Sequence, residues 1–498
     1  MFLLRWGTAV RRTVRFEVPT THRPQPRNAG LAAFFSFLFP GLGQEYVGAR
    51  RAAVTFAAPV LLLVLALLAA RLLLVDRLRN DLFSTAFLTA ALLVNIGLLG
   101  WRLLAIGHAA LAARPAILER GTPRRTLSIL LVGVVLATTV GMHAFAGAVL
   151  VGLNSTLGDV FGGDVPGASG RPGPGPINQP EYRWNGTERV SFLLLGIDSG
   201  VGREEALTDT ILVVSIDPVA GTAVMVSVPR DTGFVPLPDR SIYRDGLYPR
   251  KINELSTEAS SSPSTWCPDL PSGVTGACGL RTLERAIGLY LGIPIQYYAT
   301  VDLQGFVDLI DAVGGLNLCL DGKMSDPEYG GPTWEGVGLE LPAGCRHYDG
   351  VHALAYARSR QGWIELPDGT RETQNDFKRA ERQQTLLLEL RRQFAQADLL
   401  FALPAMLEAI GRTVATDFPR SLAGDLASLL PLVTGPDIDR VVLSWPDFVD
   451  LPIEPLVNYL LIPRREDVRA EMERLFGPEL EGWYVGTKAE GPPDGRSP

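Results

Sequence analysis

The sequence predicts a layered α-β-α domain with a central mixed sheet, preceded by an α-helical transmembrane region. Three observations carry this. The charge is split along the chain. Residues 1–150 hold 16 Arg, no Lys and 5 acidic residues, whereas the remainder holds 30 basic and 48 acidic residues. Three long apolar runs lie in the basic part. In the acidic part, short runs rich in Val, Ile and Leu alternate with helical patterns, as in layered α/β domains. The whole chain has 498 residues, 47% hydrophobic and 20% charged, with net charge −7. That allows two to four domains of roughly 100–200 residues. It excludes collagen, a disordered chain and a disulfide-dense miniprotein. No basic surface dominates the larger part, which argues against nucleic acid as a partner.

The apolar runs come first. Residues 52–75, 82–107 and 127–153 each exceed the roughly 20 residues that cross a bilayer as a helix. Residues 31–43 are shorter and contain Pro40, Gly41 and Gly43. They read as a re-entrant or interfacial segment. Residues 1–28 form an Arg-rich tail, with Arg5, Arg11, Arg12, Arg15, Arg23 and Arg27 against Glu17 alone. Arg50 and Arg51 precede the first run, and Arg114, Arg120, Arg124 and Arg125 lie between the second and third. The positive-inside tendency places all of these in the cytoplasm. Three spans then put everything after residue 153 outside. The expected location is a cell membrane, multi-pass, with the lipid bilayer as a partner.

Residues 154–186 are rich in Gly and Pro and read as a solvated linker. Globular patterning starts near 187. Val190–Ile197, Thr210–Ile216, Thr222–Val228, Tyr297–Val301 and Leu316–Leu320 read as strands. Asp217-Pro-Val-Ala-Gly221 is a turn signal between the second and third. Arg281–Leu291, Leu303–Ala312, 350–357 and Arg371–Gln396 read as helices. The domain is expected over 187–398, with a C-terminal extension over 399–480 and a flexible tail over 481–498.

The four cysteines fall as Cys267/Cys278 and Cys319/Cys345. An exported domain meets an oxidising setting, so two sequence-local bridges are expected in preference to four buried thiols.

Polar residues gather by topology. If the first two strands pair antiparallel, Asp198 at the end of one adjoins Asp209 at the start of the other. The hairpin then brings Pro229-Arg230-Asp231 to the same edge. Two carboxylates there suit a hard cation such as Mg²⁺ (or Mn²⁺) that shares substrate phosphates, though Asp at strand ends is also common in turns. Arg358 and Arg360 could bracket an anion or form a solvated pair. Arg379, Arg382 and Gln383 share one face of the long helical pattern, opposite Phe377, Ala380, Gln384 and Leu388. Such a face is usually wet.

Residues 190–395 resemble the LytR–CpsA–Psr family of bacterial cell-envelope enzymes. The stretches concerned are Phe192-Leu-Leu-Leu-Gly-Ile-Asp198, Thr208-Asp-Thr210, Val226-Ser-Val-Pro-Arg-Asp231, Lys251-Ile-Asn253, Val313-Gly-Gly315, Ala355-Tyr-Ala-Arg-Ser-Arg360 and Arg379-Ala-Glu-Arg-Gln-Gln384. The resemblance implies a membrane-anchored, Mg-dependent phosphotransferase. It would move a glycopolymer from a polyprenyl-pyrophosphate carrier to a peptidoglycan acceptor through a phosphodiester link. It implies that Asp198 and Asp209 hold the metal, and that Arg230, Lys251, Arg358, Arg360, Arg379 and Gln383 line the pyrophosphate. The polyprenyl tail would lie in an apolar cleft between sheet and helices. Asp198, Asp209, Arg230, Asp231, Arg358 and Arg360 would then be the catalytic set, with Asp231 or a metal-side carboxylate as any base. The sequence departs from the family at Leu207, where an Arg is usual; Arg203 is the nearest substitute. The alternatives are a polyprenyl-pyrophosphate pyrophosphatase and a non-catalytic lipid-binding regulator of the envelope.

Overall fold

The structure is a computed structural model. It describes residues 27–73, 81–113, 123–162, 184, 188–198, 207–268, 276–330, 334, 336–396, 408–426, 429, 438–451, 459–478 and 480. The chain divides into two units, residues 1–70 with 95–144 and residues 71–94 with 145–498. The expectations for residues 1–26, for 163–183, for 481–498 and for Arg203 lie outside the described residues.

In the first unit, α1 (Ala29–Leu38) and α2 (Leu42–Tyr46) form a hairpin through Gly41, at φ 107°. At 10 residues, α1 is half the length that crosses a bilayer. Three long helices contribute residues to both units: α3 (Arg50–Leu73), α4 (Thr85–Ala112) and α5 (Pro123–Gly162). Among the described residues, these three are long and apolar enough to cross a membrane. The hairpin is held by polar contacts rather than by apolar area alone. Gln44 accepts from Ser36 Oγ at 2.9 Å and donates to Ala105 O at 2.7 Å, and Arg102 Nη2 donates to Phe37 O. A Cβ on Gly43 would sit 2.0 Å from Ala32 O, so only glycine lets the two short helices touch. The expected third span ended at residue 153, but α5 continues to Gly162. Leu157 and Val160 explain this: spaced three apart, both are buried.

The second unit holds the α/β domain. Its elements in chain order, counting strands of three residues or more, begin with β1 (Val190–Asp198), β2 (Leu207–Asp217) and β3 (Thr222–Ser227). Helices α6 (Ile252–Ser261) and α7 (Gly276–Leu291) follow, then β4 (Tyr297–Asp302) and α8 (Leu303–Ala312). Next come β5 (Leu316–Leu320), β6 (Lys323–Asp326), β7 (Leu339–Leu341), β8 (Gly344–Tyr348) and α9 (Gly350–Arg358). The chain continues with β9 (Trp363–Glu365), β10 (Arg371–Thr373) and α10 (Asp376–Gln396). It ends with β11 (Val414–Thr416), β12 (Ile438–Val442) and α11 (Arg465–Phe476).

The main sheet has the order β11-β4-β1-β2-β3-β12. It is mixed: β1 runs parallel to β4 and β3 to β12, while the other neighbours are antiparallel. Alternation sorts its side chains into two cores. Leu193, Leu195, Ile211, Val213, Val224 and Val226 pack against α6 and α7 through Ile252, Leu255, Leu283 and Ile287. Phe192, Leu212, Val214 and Met225 face the other way, toward Phe418 and, on α10, Leu387 and Leu388. This is the expected layered α-β-α arrangement. A third core joins α8, α9 and β5 around Ile310, Leu316, Leu318 and Tyr356.

Three sequence-based boundaries move. Trp184, assigned to the linker, is 2% exposed and belongs to the second core, its indole donating to Glu188 O at 2.7 Å. Arg371–Thr373, assigned to the long helix, is a strand paired with Trp363–Glu365, and the helix begins at Asp376. Residues 414–416 and 438–442, assigned to an extension, are the two edge strands of the main sheet, so residue 398 is no domain border. Bridges Cys267–Cys278 and Cys319–Cys345 are both present.

Candidate active site

The site forms where β1 ends and β2 begins. The pair is antiparallel, with Gly196 opposite Thr210 and Ile197 opposite Thr208. The register shifts there, and Asp209 is the extra residue, opposite none. A bulge re-aims the side chain it releases. This is how Asp209 comes to the same rim as Asp198, which lies opposite Leu207. The β2–β3 hairpin brings Arg230 to them, with Val228 N bonded to Ile211 O. The expected gathering of three polar groups at one edge is therefore real.

Each carboxylate at this rim carries an arginine. Arg230 Nη1 lies 2.6 Å from Asp209 Oδ1, and Arg358 Nη2 lies 3.3 Å from Asp198 Oδ2. Asp376, at the first turn of α10, adds two ion pairs: with Arg230 Nε at 3.5 Å and with Arg379 Nη1 at 3.2 Å. Arg379 Nη2 also donates to Asp209 O at 3.1 Å, leaving its buried Nε without a hydrogen-bond partner among the described residues. Burial opposes the Arg230 charge, yet Asp209, Asp376 and Asp231 outweigh it and hold the guanidinium above its ordinary pKa. Burial dominates at Arg379 and lowers it, with Asp376 opposing.

Two cavities meet at these residues. One is polar, about 280 Å³, and is lined by Asp198, Asp209, Asp326 and Glu328 and by Arg230, Arg358, Arg360 and Arg379. Four carboxylates and four guanidinium groups face one small space. The other is apolar, about 300 Å³, walled by Leu194, Leu212, Phe306, Leu354, Leu386 and Leu390 among others. Asp209, Arg358 and Arg379 line both. An anionic head with an apolar tail matches this layout.

The remaining expected residues divide. Arg360 is exposed on the polar cavity and makes no ion pair among the described residues. Lys251 and Asp231 pair with each other at 2.7 Å beside the cavities rather than on their walls. Gln383 lines the apolar cavity and donates to Ala357 O at 3.3 Å. Leu207 lines the polar cavity, and no basic residue replaces it there from the described residues of its own strand. The supposed wet helix face is wrong. Arg379 and Arg382 are 7% and 5% exposed, and Gln384 on the opposite side is equally buried, bonded to Ser227 Oγ and Val441 O. The helix is clasped on both sides, by α9 and by the main sheet, which periodicity alone does not reveal.

Several site residues, Asp326, Glu328 and Tyr329 among them, escaped the sequence reading. Asp326, at the end of β6, is 2% exposed and accepts from Ser359 Oγ at 2.6 Å. Tyr329 also lines the polar cavity, and burial raises its phenol pKa, with Arg358 opposing.

The chain resolves to a family at this point: the profile described as the LytR_cpsA_psr family matches residues 174–444, more than half of its length, and the chain belongs to that family. Among individual relatives, it is 31% identical over 213 residues to the cell wall biosynthesis protein LcpA of Corynebacterium glutamicum, covering 42% of this chain and 38% of that one. It is 26% identical over 228 residues to the polyisoprenyl-teichoic acid–peptidoglycan teichoic acid transferase TagU of Halalkalibacterium halodurans, covering 46% and 60%. The chain thus spans less than two thirds of either relative. Among solved structures, B. subtilis TagV aligns with TM-score 0.41 at 24% identity, covering 58% of this chain and 97% of that one.

Proposed function

We propose that this protein transfers a glycopolymer from a polyprenyl-pyrophosphate carrier to peptidoglycan, forming a phosphodiester. The observation that carries the reading is the joint between the two cavities, where Asp209, Arg358 and Arg379 stand between an arginine-rich pocket and an apolar one. A pyrophosphate between a sugar and a long isoprenoid has that same division. The names of the relatives LcpA and TagU point the same way.

Asp198 and Asp209 would hold Mg²⁺. The donor set fits: two carboxylates on one cavity wall, with the other positions left to water and phosphate oxygens. No group of three or more His, Cys, Asp or Glu among the described residues forms a self-sufficient metal cage. The ion supplies charge neutralisation on phosphate oxygens. The protein's own part is positioning and charge, the main demands of phosphoryl transfer. Arg230 and Arg358 pair with Asp209 and Asp198. A cation held by those carboxylates would leave the two guanidinium forks to the phosphates. Arg360, already unpaired among the described residues, completes a clamp on charge moving to the leaving polyprenyl phosphate. The Arg-rich loops would keep the N-terminal tail in the cytoplasm and the domain outside, beside the lipid carrier.

A defined polyprenyl-pyrophosphate glycan tests this, supplied with and without peptidoglycan strands. Acceptor-linked glycan phosphate should form, with polyprenyl phosphate released, and Asp198→Ala or Asp209→Ala should abolish it. Equal release of glycan phosphate without acceptor would replace transfer by hydrolysis. Lipid binding without turnover would leave a regulator.

A further inference from the structure

We infer that Arg382 is the positioning residue of the anion clamp: it grips the chain that carries Arg358 and Arg360 and so sets where they point. This rests on the proposed pyrophosphate site and goes beyond its ligand set. Arg382 lines neither cavity. It is 5% exposed and forms no ion pair among the described residues. A buried guanidinium without a carboxylate is costly, and burial pushes its pKa down to about 10. An apolar side chain would fill the same space at less cost, so its hydrogen bonds are the reason to look for a task.

Those bonds converge on one short segment. Nε donates to Tyr356 O at 2.8 Å, in the last turn of α9, and Nη2 donates to Ser359 O. Nη1 donates to Gln374 Oε1, and Gln374 N in turn holds Gly362 O at 3.0 Å. Both flanks of Arg358-Ser359-Arg360 are therefore tied to one rigid fork. Asp326 fastens the same turn from another direction, accepting from Ser359 Oγ at 2.6 Å and Gln361 N at 3.4 Å. Helix ends ordinarily fray because their last carbonyls lack partners. Here the end that bears the two arginines is closed by a cation. Only arginine can serve several fixed oxygens this way; lysine keeps the charge but not the fork.

The experiment uses the full chain in lipid nanodiscs, with two probes: inorganic pyrophosphate plus Mg²⁺, and a polyprenol lacking phosphate. Arg382→Lys should weaken pyrophosphate binding about tenfold, the loss expected for hydrogen bonds to a charged group. Polyprenol binding should stay within about twofold. In an Arg360→Ala background, the further loss from Arg382→Lys should shrink to less than about threefold, because residues acting through one another are not additive. Ser359→Ala leaves every charge in place. It should show the same pattern with a smaller loss, and it decides the matter if Arg382→Lys does not fold. A full tenfold loss retained in the Arg360→Ala background would overturn the inference. So would equal loss of both probes, or no loss of pyrophosphate. Wild-type protein that binds no pyrophosphate would overturn the site reading itself, and this inference with it.

Discussion

Arg358 and Arg360 discriminate most sharply between a working clamp and surface charge. Exposed pairs contribute only about 0–1 kcal/mol, so replacement by Lys at a solvated site changes little. In a clamp, Lys loses the planar fork. Arg358→Lys and Arg360→Lys should each lower transfer roughly 10²-fold, about 2.7 kcal/mol. Arg392→Lys is the control, since Arg392 is exposed and among the described residues pairs with Glu389 alone. Three near-wild-type rates would remove the clamp. A second residue sets a pH dependence. Burial pushes the Asp417 carboxyl up to about 7, although Tyr298 N donates to it at 2.8 Å and Arg281 favours its charge. Unfolded, it would titrate near the ordinary value of about 3.9. The folded state thus holds the proton more tightly, and stability falls as pH rises from about 4 to about 7. The buried Glu284 is pushed up in the same direction by burial and by Asp417, so the fall in stability belongs to the pair. Asp417→Asn keeps the bond from Tyr298 and should flatten this slope in urea unfolding measured across that range. An unchanged slope would clear Asp417 of the effect.

At the scale of elements, α9 is the lever that aims Arg358. Its first residue, Gly350, leaves no room: a Cβ would lie 2.3 Å from Val307 O on α8. Gly350 N also donates to Asp311 Oδ1 at 2.7 Å. Gly350→Ala should push the two helices apart and cost roughly 1–3 kcal/mol in unfolding free energy, with transfer falling as Arg358 is displaced. Full stability and full rate would show that α9 has slack. The elements also show what a sequence can tell. β1, β2 and β3 were legible because Val, Ile and Leu runs are broken by a clear turn signal. Asp198, Asp209 and Arg230 were legible because strand ends meet by topology. The bulge at Asp209 was not, since a one-residue slip leaves no compositional mark. Nor was the burial of Arg382 and Gln384. Polar residues on opposite sides of a helix read as wet, and only the neighbours packed on both sides make them dry.

At the scale of the molecule, three helices of spanning length among the described residues precede a disulfide-bonded α/β domain. Three crossings would put the tail and the domain on opposite sides. With the Arg-rich loops inside, protease added to intact protoplasts should digest the domain and spare the N-terminal tail. A protected domain would invert the proposed topology. The same molecule carries cysteines only in bridges, so the digested fragment should show no free thiol before reduction.

The wall shared by the two cavities has a practical consequence. The apolar one asks nothing of its occupant beyond length and lack of polarity, and its mouth is set with Arg358 and Arg379. A surfactant used to extract the protein from its bilayer has a tail of that kind. Purification in long-chain surfactant would load the protein with a competitor at the step meant to isolate it. Any transfer recovered from such micelles would understate what the protein does among lipids, and the shortfall would grow with the length of the surfactant tail.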